Sequence, residues 1–262
     1  MEFLKTLYKN RKLALQLGKN DFKNRFANTS LGAIWGFAQP FVFMLTYVII
    51  FQYILKTKSS GDDPFIVWFL PGMSMWMFCS DAILTASNSI RTYSYLVKKV
   101  VFPIDIIPII SLRSSSYIGI FLILIASTAA LIFGYFPNVI NVIYIIFCAL
   151  CFIIALTRLT AALTTLVPDF AQLLNIVIQL FMWFTPIIWN LSMIGSKLVI
   201  VFKCSPFTYL VEGFRQAFLE SSTIITEQNG VYSLVFWVIT ILVFLWGNAV
   251  FKKSKKDFAD VL

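Results

Sequence analysis

Apolar residues run in six long blocks along this chain, separated by short charged, polar or proline-bearing stretches. A bilayer core takes about twenty residues of helix, and blocks of that length cover residues 33–55, 65–87, 108–134, 139–166, 170–189 and 232–251. The pattern predicts an all-α fold: one transmembrane domain over 1–262 with six membrane-spanning helices. Cationic flanks of spans stay on the cytoplasmic side. Before Ala33 the chain carries Lys5, Lys9, Arg11, Lys12, Lys19, Lys23 and Arg25, and after Phe251 it carries Lys252, Lys253, Lys255 and Lys256. Both termini are therefore expected inside, which requires an even number of spans. The loop between the second and third spans, with Arg91, Lys98 and Lys99, falls inside on the same count. Lys56 and Lys58 after the first span are offset by Asp62 and Asp63, and the 135–138 turn is uncharged, as suits the outer face. Residues 198–219 are apolar enough to suggest a seventh span. They contain Lys203, Pro206, Glu212 and Arg215, each costly in lipid, and a seventh span would put the lysine tail outside. The segment 190–231 is instead expected to form short re-entrant or interfacial helices on the outer face, broken at Pro206, covered by protein or lining a wet cavity.

Composition supports a membrane protein and narrows the chemistry. Apolar residues make up 59% and charged residues 13%, against roughly a quarter charged in soluble domains. The net charge of +9 sits mostly at membrane flanks, so it points to topology and not to nucleic acid. About thirty residues precede the first long apolar run, which does not fit a cleavable signal peptide. Cys79, Cys148 and Cys151 lie within apolar runs and read as small packing residues, the C-x-x-C spacing of the last two included. The chain has no histidine, the commonest general base and metal ligand.

Three features outside simple spans stand out. Over Glu2 to Phe26, apolar residues recur at helical spacing (Phe3, Leu4, Leu7, Tyr8, then Leu13, Ala14, Leu17, then Phe22 and Phe26) with basic residues between them. This predicts an amphipathic helix over 1–30 at the inner interface, either a plain anchor or an anchor that also touches a cytoplasmic partner. Residues 91–103 combine Arg91, Tyr93, Tyr95, Leu96, Val97, Lys98, Lys99 and Phe102 and end at Pro103. A solvated loop has no need of that apolar set, and such a patch marks a docking site. Within the spans, Asp81 and Arg113 are charged. Each costs about 2.5–3.5 kcal/mol at the membrane centre, so a mutual ion pair or a wet cavity in contact with substrate is expected. Arg158, near the inner end of the fourth span, is expected to face headgroups or a partner. Trp76, Trp183 and Phe184, with Trp68 and Phe78, suit either lipid packing or the wall of a conduit, and lipid packing is the favoured reading.

The chain has no phosphate loop: its only Gly-Lys pair, Gly18-Lys19, is followed by Asn20. Asp81 is the only acid well inside a span, which is too little for a proton relay. Active transport would draw its energy from another polypeptide pushing on the inner helices.

These features resemble the membrane subunit of ABC-2 type transporters, in the branch exporting polysaccharides and teichoic acids. The resemblance runs through Asp21-Phe22-Lys23-Asn24-Arg25-Phe26, Ser30-Leu31-Gly32-Ala33-Ile34-Trp35 and Gln39-Pro40. It continues in Leu70-Pro71-Gly72-Met73, Leu96 through Pro103, Val167-Pro168-Asp169-Phe170 and Phe184-Thr185-Pro186-Ile187-Ile188-Trp189. It ends with Ser205-Pro206 through Phe214-Arg215 and Phe258-Ala259-Asp260. One departure is Cys204-Ser205-Pro206, where the family commonly has Asn before Pro. The resemblance implies a non-catalytic half-transporter of the bacterial plasma membrane. Two copies would join two copies of a separate ATP-binding subunit, which would hold ATP and Mg. It makes Asp21, Phe22, Arg25 and Phe26 part of an interface helix, and places within Arg91 to Phe102 a coupling helix docking on the ATPase, with Arg91, Tyr93, Tyr95, Leu96, Val97, Lys98 and Lys99 as its contacts. It places Pro206, Tyr209, Glu212 and Arg215 at an outer gate, and implies a lipid-linked teichoic acid, O-antigen or capsule as substrate. A drug or small-lipid exporter is the alternative. A membrane-embedded glycan-modifying enzyme is remote, because Asp62, Asp63, Glu212, Glu220 and Glu227 are joined by no catalytic motif.

Overall fold

The computed structural model describes residues 2–56, 63–99, 102–219 and 230–262. Lys58, Asp62, Glu220 and Glu227, named above, lie outside the described residues, as do Val100 and Val101 of the 91–103 segment. The described residues are mostly helical, with no strand among them, and form α1 (Glu2–Lys9), α2 (Arg11–Arg25), α3 (Trp35–Val48), α4 (Phe65–Thr92), α5 (Ser94–Lys99) and α6 (Ile107–Ile132). There follow α7 (Val139–Leu166), α8 (Phe170–Phe184), α9 (Ser196–Lys203), α10 (Pro206–Leu219), α11 (Gly230–Ser254) and α12 (Phe258–Val261). A π-helical turn, Ile49–Ile54, extends α3.

Among the described residues, five stretches are long and apolar enough to cross a membrane: Gly32–Ile54, Phe65–Thr92, Ile104–Ile132, Val139–Leu166 and Gly230–Ser254. The expected fifth span, 170–189, is different. Its helix, α8, stops at Phe184 after 15 residues, about 22 Å at 1.5 Å per residue against a core of about 30 Å. Pro186 lacks an N–H and biases Thr185 to extended backbone, and Thr185 is extended at ψ 135°.

The helix α4 is the axis of the bundle. It is buried on almost every face, with α6, α7, α8 and α10 packed around it. Phe69, Met73, Met75, Cys79, Ala82 and Ile83 form the centre of the main core. In contrast, α3, α8 and α11 carry large apolar residues on exposed faces, among them Phe41, Leu45, Ile176, Leu180, Leu242 and Trp246.

Packing also settles how α10 is placed. Near its start, Phe207 lies against Trp76 and Phe152 at 5.3 Å between ring centres, halfway along α4 and α7. Near its end, the Ala217 carbonyl accepts from the Asn138 backbone N–H at 2.8 Å, at the α6–α7 turn. The helix thus rises from mid-bundle to the end opposite the basic tail.

The expected single helix over Glu2 to Phe26 is two helices. Asn10 breaks it (φ −104°, ψ 17°), and its side-chain amide donates to the Thr6 carbonyl at 2.9 Å. Asx side chains compete with helical backbone in this way. The break frees each half to turn its own apolar face inward. Phe3 packs on Phe244 of α11, while Ala14, Gly18, Asp21 and Phe22 are buried where α2 packs along α6. The second half therefore belongs to the bundle and does not simply float at the interface.

Candidate functional site

The end of α2 brings Asp21, Phe22, Arg25 and Phe26 onto α4 and α6. Phe22 holds that end through rings of Phe26, Phe37 and Tyr117 at 5.3–5.6 Å. Arg25 then spans to α4. Its Nη2 lies 2.7 Å from Asp81 Oδ1 and 3.0 Å from Thr85 Oγ1, and its Nη1 lies 3.3 Å from Asp81 Oδ2. This is a two-pronged arginine–carboxylate contact, the strongest geometry for such a pair. The two side chains are 24% and 27% exposed, because they border water-sized space. A cavity of about 340 Å³ lies on one side, lined by Asp21, Thr85, Asn88 and Ser111. A larger groove of about 470 Å³ lies on the other, walled by Gln39 and Phe43 of α3, Trp76 and Met77 of α4, and Gln179 and Met182 of α8.

The expected Asp81–Arg113 ion pair is not formed. Asp81 is taken by Arg25, whereas the Arg113 guanidinium lies over the Tyr117 ring at 4.9 Å. The stem of Arg113 fills the space beneath Gly18, where a Cβ would come within 2.7 Å of its Cγ. Similar depth on adjacent helices did not bring the two charges face to face. The cation for Asp81 comes from a helix 56 residues earlier.

Of the expected coupling residues, Tyr93 turns inward. It sits at the break between α4 and α5 and donates its phenol to Asp21 Oδ1 at 2.5 Å. Burial, then the hydrogen bond and charge of Asp21, push the Tyr93 pKa well above its ordinary value, so it remains a neutral donor at physiological pH. Leu96 and Val97 are half-buried against a second apolar cluster built on Ile107, Ile110, Phe251 and Phe258. Arg91, Tyr95 and Lys98 are exposed at the basic end, and Lys99 closes α5. The exposed surface is therefore narrower than the segment as a whole.

Arg158 corrects another expectation, and its partners were not legible in the chain. It is 1% exposed and faces neither headgroups nor a partner. Its Nη2 donates to Asp105 at 3.1 Å and Asn248 at 3.0 Å, and its guanidinium lies between Phe3 at 4.1 Å and Phe251 at 4.5 Å. Lys255 Nζ reaches the other oxygen of Asp105 at 2.5 Å. One arginine thus ties α1, the entrance to α6, α7, α11 and the basic tail. A buried cation needs such partners, but only its presence in an apolar run hinted at them.

At the opposite end Arg215 is 2% exposed. Its Nε donates to the Trp68 carbonyl at 2.9 Å, its Nη1 to Glu212 at 2.7 Å, and its Nη2 to the carbonyls of Pro186 and Ile187, each at 3.0 Å. The guanidinium also covers the Trp68 ring at 3.8 Å. Gly72 makes room for it, since a Cβ there would lie 2.8 Å from Nη2. Arg215 therefore supplies the donors that the non-helical backbone after α8 lacks, the condition for such backbone inside a membrane. Pro206 starts α10. One turn on, Tyr209 stacks on Phe236 at 4.6 Å, and its hydroxyl lies 3.3 Å from that of Tyr144 and 3.0 Å from Ser233 Oγ. Trp76 lines the groove, while Trp183 and Phe184 are exposed on α8 and are not brought to it. Among the described residues no three His, Cys, Asp or Glu side chains are placed to hold a metal ion.

Comparison with known proteins agrees with this architecture. The model of the ABC-2 type transporter family matches residues 13–219. The O-antigen export system permease protein RfbA of Klebsiella pneumoniae is 21% identical over 253 residues, 95% of each chain. The protein of the same name from Myxococcus xanthus is 23% identical over 268 residues, 99% of each chain. With most of its length matched by the family model and its apolar helices long enough to span a membrane, the chain belongs to the ABC-2 type transporter family, as a non-catalytic, multi-pass membrane subunit.

Proposed function

We propose that this subunit exports a lipid-linked cell-envelope polysaccharide, of the teichoic acid, O-antigen or capsule kind, as a homodimer with two copies of an ATP-binding partner. ATP and Mg bind to that partner. The family makes an ABC ATP-binding subunit the companion of this permease, and two relatives matched over nearly their full length are O-antigen export permeases.

The observation that carries the reading is the groove along α4. Its walls come in part from α3 and α8, two of the helices that leave apolar faces exposed, and its basic end stops at Arg25 and Asp81. A second copy across those faces would close the groove into a conduit. Tyr93 links the start of α5 to Asp21, one turn before Arg25. A partner pushing on Arg91, Tyr95 and Lys98 would thus move α2 and open the Arg25–Asp81 contact, a rigid-body switch. The apolar lining, with Phe43, Met73 and Met77, supports a second reading in which the cargo is a drug or small lipid.

The test is to purify the tagged chain from its own membranes in mild detergent, identify what co-purifies, and quantify surface glycan after depleting the chain. A stoichiometric ATPase and loss of one surface polymer are expected. Unchanged surface glycan together with altered efflux of a small amphiphile would overturn the polysaccharide reading in favour of the second.

A further inference from the structure

A separate cavity of about 190 Å³ lies between α9, α10 and the start of α11, at the end of the bundle opposite the basic tail. Its lining is almost wholly polar. Lys203, Thr208, Tyr209, Glu212, Gln216 and Tyr232 all bring polar groups, and Leu191 alone is apolar. Two of these polar groups lack a partner: Thr208, 2% exposed, has an unbonded Oγ1, and Gln216 has a buried, unbonded Oε1. Buried polar atoms are almost always satisfied by protein, water or a ligand, and two orphaned atoms on residues that line one polar cavity point to a ligand whose entry would draw them into hydrogen bonds.

We infer that this cavity binds a single pyranose unit of a glycan. It is smaller than pockets for drug-sized molecules, which run from about 300 Å³, and suits one ring. Its hydroxyls and amide both donate and accept, as the hydroxyls of a sugar require. Tyr232 supplies an aromatic wall for the apolar C–H face of such a ring, while Tyr209, stacked on Phe236, brings its hydroxyl. Lys203, 5.4 Å from the centre of the Tyr232 ring, and Glu212 cap the polar side with opposite charges. A phosphate would meet the Glu212 carboxylate and a lone lysine, the wrong balance for an anion site. The walls are firm, since Glu212 is braced by Arg215 and Tyr209 by Tyr144 and Ser233. The site lies apart from the groove along α4. It rests on the polysaccharide reading only for the source of the sugar, a chain end or segment emerging at this face.

The test uses the full-length chain in lipid nanodiscs and saturation-transfer NMR with methyl pyranosides of glucose, galactose, mannose, rhamnose and N-acetylglucosamine, with sn-glycerol 1-phosphate as a headgroup mimic. Transfer to ring protons of at least one glycoside is expected, weakened about five- to tenfold in Thr208→Val or Gln216→Leu, the loss of one hydrogen bond. The two variants are independent, so a failure of one to fold leaves the other decisive. No transfer from any glycoside, equal transfer in the folded variants, or a preference for the phosphate would each overturn the assignment. Surface glycan measured on depletion separates the two claims. Continued dependence of export on this chain without glycoside binding sinks only the pocket. Glycoside binding that the variants weaken, with no effect of depletion on any surface polymer, sinks only the export reading.

Discussion

Arg25 and Arg215 show two different uses of an arginine within the bundle, and they predict different failures. The Arg25–Asp81 pair is about a quarter exposed beside two cavities, so its contribution to stability is small, about 1 kcal/mol or less. Asp81→Asn is accordingly expected to leave the melting temperature in detergent nearly unchanged while cutting export several-fold. The exchange of charges, Arg25→Asp with Asp81→Arg, is expected to restore part of it. Normal export in Asp81→Asn would overturn the proposed switch at the Arg25–Asp81 contact. Arg215 is different: it is buried and feeds three backbone carbonyls and Glu212. Arg215→Leu is expected to cost roughly 3–5 kcal/mol, because the groups it satisfies stay buried. Arg215→Lys is expected to rescue little, since an ammonium cannot reproduce the planar fork. Detergent unfolding followed by tryptophan fluorescence reads both. That Asp81, Arg113, Arg158 and Arg215 need partners was legible, since each interrupts an apolar or amphipathic run. Which partners they take was not, because Asp81, Arg158 and Arg215 find theirs up to 147 residues away, in contacts no local pattern records.

Elements were legible where apolar length alone decides them. The fourth expected span, 139–166, coincides with α7 (Val139–Leu166), bounded by the Asn138 cap and by Pro168. The fifth, 170–189, loses its last turn because hydropathy cannot see that Pro186 ends the helix and that a distant arginine makes the break tolerable. The amphipathic start kept its spacing across Asn10, so the break between α1 and α2 left no gap in the apolar pattern. The same blindness applied to α5, where Tyr93 read as surface and is a buried bolt to Asp21. Tyr93→Phe is therefore expected to keep the complex assembled and most of its stability, since one hydrogen bond is worth about 1 kcal/mol. Substrate-stimulated ATP hydrolysis and export are expected to fall together. Tyr95→Ala or Lys98→Glu, both exposed, should instead weaken ATPase binding, as read by co-purification. Aspartates at Leu96 and Val97 would also strike the cluster around Ile107 and Phe251, so loss of binding there would not by itself report a docking surface. If Tyr93→Phe released the ATPase while Tyr95→Ala did not, the division between inner bolt and outer contact would be wrong.

The path of the whole chain through the membrane follows from charge at one end and packing at the other. The basic residues of α2, Arg91 to Lys99 and the tail gather at one end of the bundle, where Lys255 is locked to Asp105. Meanwhile α9 and α10 occupy the other end, with Ala217 against the α6–α7 turn. For this to hold, α8 must carry the chain across with only 15 residues of helix, the extended stretch that follows making up the remaining depth under the cover of Arg215. The strict test is accessibility at both ends. In a background with Cys204→Ser, the other cysteines being in apolar helices, a cysteine replacing Ser221, which lies outside the described residues, is expected to react with an impermeant thiol reagent added to intact cells. A cysteine replacing Lys256, exposed after α11, is expected to react only once the membrane is opened. Labelling of Lys256→Cys from outside, with Ser221→Cys reacting only once the membrane is opened, would mean an odd number of crossings, and would place α8 as a helix that enters and returns. Labelling of Ser221→Cys only from inside would invert the end at which a polymer could leave, and the polar cavity beside Glu212 would then face the cell interior.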